Sequence, residues 1–71
     1  MPTNVTIGQK WSVWTASRRQ WLLSTVIRRE DGQATLRYDS RYGMGTGQEE
    51  QRADEAAMLT QSNLFRFVEA Q

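Results

Sequence analysis

The chain contains neither cysteine nor histidine in its 71 residues. Without cysteine, no disulfide can staple the fold and no oxidising compartment is needed. The two absences together remove the usual zinc ligands, leaving only carboxylates, and exclude nucleophilic catalysis built on His or Cys. Nor is there a run near the ~20 apolar residues needed to cross a bilayer. Met1-Pro2-Thr3-Asn4 lacks the basic start and apolar core of a secretory signal. The expectation is a cytoplasmic protein with no membrane contact, no metal and no cofactor. A chain this short buries only about 60% of its unfolded surface, so one marginally stable domain is expected over residues 1–71, its core at about 8–69.

The net charge of +1 conceals an asymmetry. Residues 1–42 carry Lys10, Arg18, Arg19, Arg28, Arg29, Arg37 and Arg41 against Glu30, Asp31 and Asp39, a net +4. Residues 43–71 carry Arg52 and Arg66 against Glu49, Glu50, Asp54, Glu55 and Glu69, a net −3. The halves can neutralise each other across neighbouring strands, or leave a one-sided basic patch for a phosphate or an acidic partner.

Glu30-Asp31-Gly32-Gln33 is the clearest local signal. Asp-Gly favours a type I′ turn, and it joins two runs of strand formers, Trp21 to Arg29 and Ala34 to Tyr38. A two-residue loop there makes positions summing to 63 cross-strand neighbours, pairing Ile27 with Leu36, Thr25 with Tyr38 and Arg29 with Ala34. With Leu23, that set forms the expected core side; Val26–Arg37, Arg28–Thr35 and Ser24–Asp39 form the solvated side. Upstream, Trp11 and Val13 alternate with Lys10, Ser12 and Trp14 in a first strand, followed by a polar loop at Ala16 to Gln20. The second strand, apolar on both faces near Leu22, Leu23, Val26 and Ile27, is expected to bend and serve two surfaces.

The stretch Tyr42-Gly43-Met44-Gly45-Thr46-Gly47-Gln48 has three alternate glycines but no following Lys-Ser/Thr, and no βαβ unit fits, so it reads as a loop and not a phosphate cradle. From Glu49 onward two readings stand. One is a short strand to Asp54 with Asp54 capping a single turn, Glu55 to Leu59; the other is one helix from Glu49 to Leu59. Ser62-Asn63 turns the chain into a closing strand, Leu64 to Val68, with Phe65 and Phe67 on its core face.

Five strands and one helical turn before the last describe a mostly β fold. Val13-Trp14, the polar loop, Trp21-Leu22-Leu23-Ser24-Thr25-Val26, Ala34-Thr35-Leu36-Arg37-Tyr38, Tyr42-Gly43, Glu49-Glu50-Gln51, Asp54 and Met58-Leu59 together resemble a Tudor domain. The resemblance spans roughly residues 8–60 and implies a small five-stranded Tudor-like, Src-homology-3-like barrel with a short helical turn before its last strand. In Tudor domains that read methylated side chains, rings at strand ends form a cage, and cations over ring faces gain ~0.5–2 kcal/mol. Carried over by position, Trp14, Tyr38 and Tyr42 would be cage members. The second-strand aromatic of the pattern falls on Leu22, with Trp21 one residue away.

The leading functional expectation is a non-enzymatic binding module. Trp14, Trp21, Tyr38 and Tyr42 supply a surface, Arg18 and Arg19 its rim, and the partner is a protein, a peptide or a single-stranded nucleic acid. The alternative is a structural protein forming a homo-oligomer through exposed barrel edges, so the chain is expected as a monomer or a weak homo-oligomer. The carboxylates show no spacing that implies paired acid–base work.

Overall fold

The computed structural model describes residues 2–39 and 50–69. Runs rich in β-branched and aromatic residues form β2 (Gln20–Glu30) and β3 (Gln33–Tyr38), joined by Asp31 and Gly32 alone. These two residues take φ of 52° and 78°, the left-handed values of a type I′ turn. Pairing begins in the expected register, Glu30 with Gln33, Arg29 with Ala34 and Arg28 with Thr35.

The register then slips. Val26 opposes Leu36, Thr25 opposes Arg37 and Ser24 opposes Tyr38, so Ile27 is the extra residue of a bulge between Val26 and Arg28. One extra residue reverses side-chain parity for the rest of the strand. Leu22, Ser24 and Val26 therefore face the core, each at most 1% exposed. Leu23, Thr25 and Ile27, expected inside, are only half-buried. On β3 the expected inward set, Leu36 and Tyr38 with Ala34, is buried. Ser24, expected on the solvated side, is buried and donates from its Oγ to the Trp11 carbonyl at 3.1 Å.

β1 (Lys10–Thr15) alternates as its sequence dictates, with Trp11 and Val13 inward. The alternatives after Glu49 resolve into β4 (Glu50–Asp54) followed by α1 (Glu55–Thr60). Helix propensity in Glu50-Gln51-Arg52-Ala53 yields to pairing with β3, which sets Ala53 against Ala34 in the core. Asp54 holds the cap position, but its carboxylate makes no capping bond; the Glu55 amide donates instead to the Gly32 carbonyl at 2.9 Å. β5 (Phe65–Glu69) sets Phe67 edge-on to Trp11, ring centroids 5.6 Å apart.

The five strands form one antiparallel sheet in the order β4-β3-β2-β1-β5. β4 and β5 are its edges, and α1 packs against both, burying Met58. The expected strands and short helix are therefore present, but no ladder joins β4 to β5 among the described residues, so the sheet is open.

The core also begins earlier than the sequence pattern suggests. Val5 is 1% exposed, held by buried Gln9. The Gln9 Oε1 accepts from the Thr6 amide at 3.0 Å and from the Trp11 indole at 3.1 Å, while its Nε2 donates to the Asn4 carbonyl at 3.1 Å. A buried amide and a buried indole N–H thereby satisfy each other.

Arginines of the first half meet glutamates of the second. Arg28 and Arg37 reach Glu50 at 3.4 and 3.0 Å, and Arg29 grips Glu55 through two bonds of 2.6 and 3.1 Å. Hydrogen bonding to Arg29 holds the Glu55 carboxyl below its ordinary range and holds the Arg29 guanidinium above its own. A carboxyl depressed on folding stabilises above its unfolded pKa and loses that contribution as pH falls through the folded value. The contribution is small at so exposed a pair.

Three outcomes are expected. Gly32→Val should destabilise by roughly 1 kcal/mol or more, because a β-branched residue resists positive φ; an unchanged melting temperature would refute the turn. Leu22→Ala should cost ~2–5 kcal/mol in urea denaturation and Leu23→Ala much less, the reverse of what an unbulged register requires. Glu55→Gln should melt below wild type at neutral pH and converge with it in acid. A gap that persists unchanged at low pH would detach the effect from the Arg29 pair.

Candidate functional site

Because Trp11 and Val13 point inward, Trp14 must point outward, and the bulge in β2 sends Trp21 the same way. The two tryptophans are cross-strand partners and meet edge-to-face, centroids 5.6 Å apart at 61°. Such a pair contributes ~0.5–1.5 kcal/mol beyond its buried area. Both rings are half-buried, each leaving a surface open to solvent.

Arg66 completes this corner from β5. It lies opposite Ser12, with its Cζ 4.1 Å from the centroid of the Trp21 ring. Its Nε donates to the Ser62 carbonyl at 3.3 Å. That bond fixes the guanidinium plane and leaves the Nη groups to meet an acceptor.

Arg18 and Arg19 occupy the exposed turn between β1 and β2. The Arg18 amide donates to the Thr15 carbonyl at 3.2 Å, and Arg19 takes φ of 54°, which reverses the chain. No acidic residue occurs before Glu30, nor between Ala56 and Val68; β5 ends on Glu69, which lies opposite Lys10, at the far end of β1 from Trp14. Asp39, just beyond β3, is engaged by Lys10 at 3.6 Å.

Trp14 and Trp21 thus come together, with Arg18 and Arg19 on the adjoining turn. Tyr38 does not join them. It opposes Ser24 on the core face, is 7% exposed, and bonds through its hydroxyl to Gln51 Oε1. A cage built on Trp14 and Tyr38 is not assembled, since the two rings lie on opposite faces of the sheet. Tyr42 falls outside the described residues, as does the glycine-alternating stretch.

Arg66 is the residue that sequence reasoning missed. Its alternation with Phe65 and Phe67 already placed it on the outer face. Pairing of β5 with β1, which brings it beside the tryptophans, has no local signature.

The same face carries a second feature, an open groove of about 380 Å³ lined by Arg28, Glu30, Gln33, Thr35, Glu50 and Arg52. Thr35 is 8% exposed and lies in one cross-strand row between Arg28 and Arg52. Among the described residues no group of three or more His, Cys, Asp or Glu is placed to hold a metal, and no helix is long and apolar enough to cross a membrane. No protein-family model, no curated protein and no solved structure matches the chain.

The two kinds of tryptophan separate by mutation. Trp11→Ala should cost about 3–5 kcal/mol and unfold much of the population, whereas Trp14→Ala should leave a cooperative transition with a clearly smaller loss. Equal losses in chemical denaturation would make Trp14 a core residue.

Proposed function

We propose that this chain is a non-enzymatic binding module with a Tudor-like, Src-homology-3-like barrel architecture, and that its Trp14–Trp21 corner binds single-stranded nucleic acid. The observation that carries the reading is Arg66 pinned over Trp21 beside Trp14, with the carboxylates of these strands, Glu30 and Glu69, at their far ends. Bases stack on open indole faces at ~1–3 kcal/mol each while arginines meet the phosphates. A methylated cation is disfavoured there, because Arg66 already takes the Trp21 ring and three arginines would repel it. The barrel reading draws support from β5, which lies beside β1 while α1 spans the two open edges.

Fluorescence anisotropy with a labelled oligothymidylate tests this function. Trp14→Ala, which removes the indole that Arg66 does not cover, should weaken binding by about 10- to 100-fold, the loss of one stacked base. Arg18→Ala combined with Arg19→Ala should weaken all sequences alike and flatten the salt slope by about 1–2 units, one for each phosphate no longer neutralised. The second reading, a homo-oligomer, draws on the edges of β4 and β5, which pair with no further strand among the described residues. Self-association insensitive to salt, with no oligonucleotide binding, would favour it and overturn the first.

A further inference from the structure

We propose that the bound strand runs from the tryptophan corner along β2 to the groove over Thr35, where Arg52 takes a second phosphate. This inference rests on the nucleic-acid reading above and extends it to a site on the other side of the bulge.

Three observations support the extension. First, the two features share a face. Trp21, Leu23 and Thr25 point outward before the bulge and Arg28 after it, because the extra residue restores the outward parity. Trp21 and Arg28 lie about 20 Å apart at strand rise, within reach of a short oligonucleotide.

Second, the path between them is neutral or internally compensated. Ser12, Leu23 and Thr25 carry no charge, and the carboxylates beside them are occupied. Asp39 meets Lys10 at 3.6 Å, and Glu50 is shared by Arg28 and Arg37 at 3.4 and 3.0 Å. A polyanion on this line therefore meets Asp39 and Glu50 as ion pairs, while Glu69 lies two strands away on β5, opposite Lys10.

Third, the groove holds polar groups without protein partners. Among the described residues, Arg52 pairs with no carboxylate and the Thr35 side chain makes no hydrogen bond. Arg52 is exposed and lies across the ladder from Thr35, whose hydroxyl can donate alongside it. Glu30, at the hairpin end of the groove and likewise without an ion pair, repels phosphate and so ends the track there.

The test compares oligothymidylates of about 4 and about 12 nucleotides, near the two ends of the site sizes of small barrels, on the full chain. A single-site corner treats the two lengths alike, whereas a two-point track favours the longer through its effective concentration at the second site. Arg52→Ala should weaken the longer oligomer by about tenfold, flatten its salt slope by about one unit and leave the shorter unchanged. Glu30→Gln should strengthen the longer oligomer alone. Neither substitution touches the core, and circular dichroism of each variant should match wild type. If Arg52→Ala affects both lengths equally, or neither, the track is refuted while the corner stands. If wild type binds neither oligomer, both readings fall.

Discussion

The bulge at Ile27 is the constraint on which the other arrangements depend. β2 pairs on one side with the hairpin partner β3 and on the other with β1. The type I′ turn fixes parity at one end, setting Arg28 and Thr35 outward and Arg29 beside the helix. An unbroken ladder would carry that parity through to Trp21 and Leu22. It would bury Leu23 and Thr25, and, through the pairs Val13–Leu22 and Trp14–Trp21, drive β1 to expose Trp11 and Val13. The single extra residue reconciles a turn that wants one parity with a first strand that wants the other. Both outward tryptophans are its product.

A sheet with two open edges needs its ends tied down, and the ties here are polar. The hairpin turn lends its Gly32 carbonyl to the first amide of α1, and Arg29 clasps Glu55 at the same junction. At the other end, Gln9 fastens the Asn4–Gln9 segment over Trp11 and buries Val5. The backbone groups and the indole held in this way would otherwise go without a partner, at a cost of ~1–3 kcal/mol each where buried. In a domain with so small a core, such losses are comparable to the whole net stability.

The same ion pairs shape the outer surface. By drawing Glu50 to Arg28 and Arg37, and Glu55 to Arg29, the fold commits these second-half carboxylates to the hairpin side. The tryptophan corner is left basic without a large net charge on the chain. Edge-to-face contact fixes the two rings and the Ser62 carbonyl fixes Arg66, so the proposed ligand would meet groups whose rotamer freedom is already reduced. Preorganisation of this kind suits a recognition surface better than a flexible basic patch.

Much of the fold was legible because its signals are local. Asp31-Gly32 specified the turn, alternation in Lys10–Thr15 specified which way Trp11 and Trp14 face, and the composition removed nucleophilic catalysis built on His or Cys. Rings at Trp14 and Trp21 and arginines at the adjoining turn could be named for the same reason. The bulge could not be read, because Leu22, Leu23, Val26 and Ile27 make both faces of β2 equally apolar and only packing chooses between them. Tyr38 has two places in the sequence, inward by the hairpin register and at the rim by positional likeness, and the inward parity of β3 holds it inside. β4 and the place of Arg66 depend on contacts between segments far apart in the chain. The sequence determined the turn, the strands and the chemistry available to them. The tertiary structure decided the parity of β2 and the neighbour of β5, because both follow from which faces can be buried together.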